Sequence, residues 1–380
     1  MKILLLSHSP NDPDGGASRI YHLLHDGLTA RGHDVDVRHQ EDYDIPARPF
    51  PRLLVDRLAM PQWLSRAAVR AHPESYDLVM SSSGMGYPLF RRLRAIDGPR
   101  PALVSHVHGM AIYDHGVTLA EARLGHFPAS LAYRLITAPF ADRWEYAGVA
   151  AADITVVQNL RDLGQLRSRG EVVHIPAAVH PELLARSAEI RPLDQRVPGQ
   201  VLWFGTWETR KGSWYVPAAF RMLRAACPDA RLVVGGTGKS QAEIAGHFAP
   251  EDRQAVTVLP RVSRAEQIRL MNESQVFLFP SLSEGFGLAL PEAMSFGLAA
   301  VTTLVGFGAD HLTDRVDARL VLATSEHIGR ALVDLVQDDD ARRRIAAQGR
   351  EVARSFTPER MLDGYERLFS GLLRAGAPAS

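Results

Sequence analysis

A chain of 380 residues exceeds one ordinary α/β layer set and suits two domains of about 150 to 200 residues each. Its 43 basic residues are balanced by 43 acidic ones, so no global field draws it to nucleic acid or to an acidic polymer. With 46% hydrophobic residues it is globular, and the single cysteine, Cys227, excludes internal disulfides and a cysteine metal cage and fits a reducing cytosol.

Met1-Lys2 leads straight into Ile3-Leu4-Leu5-Leu6, too short for a signal peptide or a membrane span, and no later apolar run reaches spanning length. The run predicts a buried strand, followed by the loop from Ser7 to Gly16. A helix with Ile20, Leu23, Leu24 and Leu28 on one face ends near Gly32 before a short strand at Val35–Val37, which completes a βαβ unit. Gly15 and Gly16 let this loop lie close to a ligand, although a glycine pair alone is more often a turn. Asp12-Pro13-Asp14 has the spacing of a metal-binding pair, but its proline setting favours a turn, and no metal is expected there.

Between Phe50 and His72 the residues Arg52, Arg57, Arg66 and Arg70 interleave with Leu53, Leu54, Val55, Leu58, Trp63 and Leu64. A basic helix of this kind can lie on an anionic membrane. The favoured alternative is a solvated helix face over the domain core, with Pro61 interrupting any single long helix. Arg91, Arg92, Arg94 and Arg100 form a second small cluster open to the same two interpretations. Strands are predicted at Leu78–Met80 and at Ala102–Val104, the latter running into Ser105-His106-Val107-His108-Gly109. Alternation puts His106 and His108 on one face if the strand continues, so it cannot choose between them. Residues 110–150 are expected to be largely helical, with strands following at Ala152–Val157 and Val172–Pro176. The stretch 186–200 mixes charges with Pro192, Pro198 and Gly199, shows neither period, and marks a hinge.

The second half opens with the strand Val201–Phe204, the loop Gly205 to Gly212, and a helix to about Ala226. After the strand Leu232–Val234, Gly235-Gly236-Thr237-Gly238-Lys239-Ser240 invites a P-loop assignment, which fails because Val233 stands where a glycine is required. A strand at Val256–Leu259 precedes a helix opened by a Ser263/Glu266 capping box. The apolar run Phe277–Phe279 then ends at Pro280, a small-residue loop carries Glu284, Gly285 and Gly287, and a helix with Leu288, Leu290, Ala293 and Met294 stops at Gly297. Glycines allow close backbone approach, and first-turn N–H groups suit an anion and tolerate Pro291. Glu284 and Glu292 can then face one crevice beyond the strand's carboxyl end. An ordinary strand-to-helix turn with surface carboxylates is the bland alternative. Ala299–Thr303 predicts another strand, Gly306–Asp310 another loop, and Asp338-Asp339-Asp340 a helix start placed by the dipole rather than by metal. A last helix follows Thr357-Pro358-Glu359, with Met361, Tyr365, Leu368, Phe369 and Leu372 on one face.

Glu284, seven intervening residues and Glu292, with Gly-Phe-Gly between them, resemble the signature of retaining glycosyltransferases of the GT-B fold, family 4. The resemblance implies two Rossmann-like α/β domains facing across a cleft, with the C-terminal helix crossing back to the first. The boundaries are placed at 1–185 for the acceptor-side domain, 186–200 for the linker, 201–357 for the donor-nucleotide domain and 358–380 for the returning helix. By the same resemblance Glu284 lies by the donor sugar, Glu292 holds the ribose, and Gly285, Phe286, Gly287 and Leu288 line the donor. Lys211 lies on the diphosphate, beside Gly205 and Arg210. Val262 marks a backbone contact to the base, Gly15-Gly16 a loop bordering acceptor and diphosphate, and His108 the active-site histidine near the transferred ring. His108, Glu284 and Lys211 form the implied catalytic group.

Two departures stand out. Thr206 replaces the usual arginine after Gly205, with Arg210 as its candidate substitute, and Ala177-Ala178 replaces the usual Asn-Gly after Ile175-Pro176. The expected reaction moves a sugar from a nucleoside-diphosphate sugar, a substrate rather than a cofactor, to a hydroxyl of a glycan, a glycolipid or other lipid-linked acceptor, or a small molecule. It retains anomeric configuration and needs no metal. Nucleic acid is not an expected partner; the expected location is the cytoplasm, with peripheral contact at the inner face of the membrane less favoured. A sugar-nucleotide epimerase or hydrolase, or a non-catalytic sugar-nucleotide-binding partner subunit, is the alternative, and Thr206 is the only residue that supports the latter.

Overall fold

Helices cover both faces of parallel sheets, so their strands are written as unbroken apolar runs rather than as alternating ones. The computed structural model describes residues 1–43, 60–126, 128–131, 133–134 and 138–376. They divide into two compact units: Met1–Gly116, Ala129–Ala177 and Pro358–Ser380 form unit 1, and Val117–Pro128 with Ala178–Thr357 form unit 2.

Unit 1 holds a six-stranded parallel sheet of β1 (Lys2–Leu6), β2 (Asp34–Arg38), β3 (Leu78–Ser82), β4 (Ala102–Val107), β5 (Ile154–Val157) and β6 (Val172–His174), in the order β2-β1-β3-β4-β5-β6. The strand order reverses between β1 and β3, the place where open sheets of this kind leave a crevice beyond their carboxyl ends. Leu4, Leu6, Val79 and Leu103 fill one core with Leu89, Phe90 and Leu93 of the helix Tyr87–Arg94. Met60, Leu64 and Ala68 of the helix Met60–Arg70 enter the same core, and Pro61 sits in its first turn. The apolar face of that part of the basic stretch is therefore inside the unit, with Arg66 and Arg70 outside. The part from Phe50 to Ala59 lies outside the described residues. Arg94 and Arg100 of the second basic cluster both bond Asp153, at 2.8 and 2.7 Å, so they tie a helix and a loop to the start of β5.

The helix Pro358–Gly376 belongs to unit 1, as the GT-B resemblance implies. Its Leu362 packs against Gly27, where any side chain would collide with it. Arg31 bridges Asp363 at 2.8 Å and Glu366 at 2.7 Å, and His33 Nε2 lies 3.0 Å from Glu366.

Unit 2 holds β7 (Gln200–Phe204), β8 (Arg231–Gly235), β9 (Val256–Leu259), β10 (Val276–Phe279), β11 (Ala299–Thr303) and β12 (Arg319–Val321). They too are all parallel, in the order β12-β11-β10-β7-β8-β9. Here the reversal falls between β10 and β7. Trp203, Phe220, Leu223, Val234, Leu278 and Leu332 belong to its core. Helices Val216–Ala226 and Ser325–Gln337 pack against one another. Arg196 is buried, and its guanidinium donates to the carbonyls of Ser274 at 2.9 Å and Phe296 at 2.6 Å, at the ends of helices Arg264–Glu273 and Ala289–Ser295. Burial pushes this guanidinium down to about 10, with Arg191 and Arg350 adding to the effect. The aligned helix carbonyls meanwhile attract the positive charge. Among the described residues no helix is long and apolar enough to cross a membrane.

Candidate active site

In unit 2 the site grows from the two loops at the switch point. The loop after β7 closes in a 3₁₀ turn, Thr209–Lys211, whose cap Gly212 has φ of 69°. Gly212 is pressed on the loop after β10: a Cβ there would come within 2.0 Å of the Pro280 carbonyl oxygen. Leu282 N–H in turn donates to the Arg210 carbonyl at 2.8 Å. This docking presents two adjacent cations to one carboxylate. Lys211 Nζ lies 2.5 Å from Glu284 Oε1, and Arg210 Nη1 lies 3.5 Å from Oε2 and 3.2 Å from the Ser283 carbonyl. Ser281 Oγ donates to Glu284 Oε1 at 2.7 Å.

Glu284 is only 7% exposed. Burial alone would raise its pKa, but Lys211 and Arg210, helped by the hydrogen bonds from Lys211 and Ser281, outweigh it and hold the carboxyl below its ordinary value. Glu284 is thus an anion at neutral pH, held between two cations.

From Glu284 the chain passes through Gly285, Phe286, Gly287 and Leu288 into the helix Ala289–Ser295. Phe286 turns its ring into an aromatic cluster with Phe307 and Phe356, at centroid distances of 5.4 and 5.9 Å, and its carbonyl accepts from Phe307 N–H. Its ring therefore packs the loop from below. Glu292, in the first turn and 2% exposed, accepts from Gln267 Nε2 at 3.3 Å. Gly297, with φ of 72°, follows the end of the helix. Thr206 is exposed directly after Gly205, and Val262 lies over Gly235 at the end of β8. Ser281 and Gln267, which orient the two carboxylates, were not singled out in the sequence. Serine and glutamine at loop and helix positions carry no local signal.

In unit 1 the structure separates the two histidines that alternation could not. His106, inside β4, is fully buried, and its Nε2 lies 3.0 Å from the Tyr365 hydroxyl and 3.3 Å from Gln158 Nε2. It belongs to the framework. His108 lies just beyond β4, its ring 4.1 Å from that of His106 and 5.6 Å from that of Tyr21. Both its ring nitrogens are out of solvent, and among the described residues neither has a hydrogen-bond partner. Such a group needs an explanation. Burial holds the pKa of His108 well below its ordinary value, with His106 and His8 adding to the effect, so its ring is a neutral donor and acceptor.

The turn after His108 needs a glycine, since Gly109 has φ of 126°. It is pinned by two buried acids: Asp162 accepts from Met110 N–H at 3.2 Å and Glu145 from Ala111 N–H at 2.9 Å. At the switch point of this sheet, Gly15 and Gly16 open the helix Gly16–Ala30, and a Cβ on Gly16 would meet nothing within 4 Å. The Asp12 carboxylate is turned into its own loop, accepting from Asp14 N–H at 3.0 Å.

Known proteins resemble this chain in sequence and in fold. Residues 198–338 match the model of the family described as "Glycosyl transferases group 1". The uncharacterized glycosyltransferase YqgM of Bacillus subtilis is 24% identical over 315 residues, 81% of this chain and 82% of its own length. Phosphatidyl-myo-inositol mannosyltransferase of Mycolicibacterium smegmatis is 26% identical over 270 residues, 68% of this chain and 61% of its own. Sucrose-phosphate synthase from Thermosynechococcus elongatus superposes with a TM-score of 0.78 at 20% identity, covering 99% of this chain and 100% of that one. Anabaena HepE in complex with UDP does so with a TM-score of 0.66 at 17% identity, covering 98% and 100%. The fold is GT-B, as two parallel sheets and full-length superposition require. Its second unit is thus similar to the glycosyl transferases group 1 family, and the relatives it matches are named as glycosyltransferases.

Proposed function

We propose that the chain transfers a sugar from a nucleoside-diphosphate donor to an acceptor hydroxyl with retention of anomeric configuration and without a metal. One observation carries this reading: at the switch point of the second sheet, two cations, Arg210 and Lys211, converge on the buried carboxylate Glu284. Paired cations beside glycine-rich backbone stabilise charge building on a leaving diphosphate, and in a dry site fixed charge acts without reorganisation. Lys211 and Arg210 then serve the diphosphate, Arg210 taking the place of the residue absent at Thr206. The Glu284 carboxylate orients a sugar hydroxyl, and Glu292, steadied by Gln267, accepts from the ribose. His108, neutral and without a partner among the described residues, is proposed to hydrogen-bond the transferred ring, and Gly15-Gly16 to give the acceptor room. No side chain is assigned as a covalent nucleophile, so the acceptor proton passes to the departing diphosphate on the same face.

The acceptor is proposed to be a hydroxyl of a glycan, a lipid-linked sugar or a small molecule. Several relatives are named for mannosyl transfer, two kinds of them from GDP-mannose, which puts that donor first for testing. A thermal-shift panel of GDP, UDP, ADP and dTDP with their sugars tests the reading, because a ligand at about a hundred times its Kd adds roughly 2.7 kcal/mol. One nucleotide family raising Tm, with the shift lost in Lys211→Ala, supports it; no response to any nucleotide overturns it.

A further inference from the structure

The C-terminal helix does more than complete the wall of unit 1. Tyr365 is fully buried, and its hydroxyl ends 3.0 Å from His106 Nε2, across 259 residues of sequence. Gln158 Nε2, following β5, lies 3.3 Å from the same nitrogen. With an amide N–H and a hydroxyl both directed at Nε2, that nitrogen accepts, and the ring carries its proton on Nδ1. The orientation and tautomer of His106 are therefore set by Tyr365 and Gln158.

His106 in turn forms one wall of the slot that holds His108, with ring centroids 4.1 Å apart at 55°. The facing wall is Tyr21, 5.6 Å from His108, and its hydroxyl is fixed 2.8 Å from Ser82 Oγ on the neighbouring strand β3. A ring with no hydrogen bond of its own can be oriented only by packing. Here the two nearer ring partners are themselves hydrogen-bonded, with His8 a third ring at 6.4 Å.

We infer that Tyr365 is a positioning residue for His108, acting through His106. This rests on the proposed role of His108 toward the transferred sugar. Nothing in the relationship is local: the phenol belongs to the last helix, the histidines to the end of β4.

The test is Tyr365→Phe, which keeps the buried ring and removes only the hydroxyl. With His108 less well held, kcat is expected to fall about tenfold while donor Kd stays within about twofold, the pattern of an interaction used in the transition state. In a His108→Ala background the same substitution should have no further effect. Long-range ¹H–¹⁵N spectra of the histidine rings give a readout independent of turnover, in which the His106 and His108 signals should both move in Tyr365→Phe. Equal losses of kcat in both backgrounds, or unmoved His108 signals, would overturn the inference. Should Tyr365→Phe fold poorly, Gln158→Leu probes the same nitrogen from β5 and is held to the same outcomes. A wild-type protein that turns over no nucleotide sugar would sink the proposed function instead, and the spectra would still decide the placement of His108.

Discussion

Gly212 and the Pro280 carbonyl are so close that the two loops of the donor half are effectively one piece, with room at position 212 for a hydrogen and no more. The cations of one loop and the carboxylate of the other keep their register because of this contact.

Gly212→Ala should therefore cost more than a usual surface substitution. It combines a left-handed backbone, with φ of 69°, with a Cβ placed 2.0 Å from an oxygen. A loss above about 2 kcal/mol in urea unfolding is expected, together with weaker nucleotide binding. A variant as stable as wild type would show that the loops can separate at little cost.

Lys211→Met leaves Glu284 buried with one weaker cation 3.5 Å away. Breaking a buried pair from one side typically costs about 3 to 5 kcal/mol, and the exposure of Arg210 puts this case at or below the low end. Lys211→Met with Glu284→Gln should recover much of that stability while leaving donor binding lost. Chemical denaturation and nucleotide titration of the same three proteins separate the two effects.

Arg210 and Thr206 make a matched test. If Arg210 supplies the charge missing at position 206, Arg210→Ala should raise the donor KM by about tenfold or more, in line with the loss of a charge-assisted bond. Thr206→Arg in that background should restore part of it. No change in Arg210→Ala would return Thr206 to the foreground as a real deficiency.

The histidines of unit 1 set an acid limit. Burial pushes His106 down to about 3, below the 6.5 of an exposed histidine. As pH falls from 6.5 toward 3, the unfolded chain takes up a proton that the folded one refuses, so stability is full above 6.5 and is lost on acidification, by up to several kcal/mol. Asp162 works in the opposite sense: burial raises it to about 6, so over roughly pH 4 to 6 the folded state holds the extra proton and Asp162 favours folding toward acid. Urea midpoints should fall between pH 7 and 4.5 in wild type, more shallowly in His106→Gln and more steeply in Asp162→Asn.

Much of this architecture is legible in the sequence because strands buried on both faces are written as apolar runs, and most of those runs become strands. The Glu284 and Glu292 pair is legible for a related reason, since a loop that must turn tightly spells itself in glycine and proline. What fixes those groups is not legible. Ser281 lies within three residues of its carboxylate, yet nothing distinguishes it from any loop serine. Tyr365 shares a helix face with Met361 and Phe369 and so looks like one more core aromatic until its partner 259 positions away is known. The short strand β12 and the helix Ser325–Gln337 were not singled out: a three-residue strand is below what periodicity can show, and the helix follows it without a strong breaker. The arginines at 94 and 100 resembled a charged patch for the converse reason, because Asp153, which neutralises them, is more than fifty residues downstream.

Unit 1 is assembled from both ends of the chain, with the last helix against β4. On the ribosome, residues 1–177 emerge early but lack the helix that covers His106, while all of unit 2's residues are made before that helix. The first half must therefore wait, with one side of its histidine cluster uncovered, until the second has been synthesised. A released chain truncated after residue 357 should hold a folded unit 2 and an unfinished, protease-sensitive unit 1. Maturation of the histidine site is in this way deferred until the helix Pro358–Gly376 has been made.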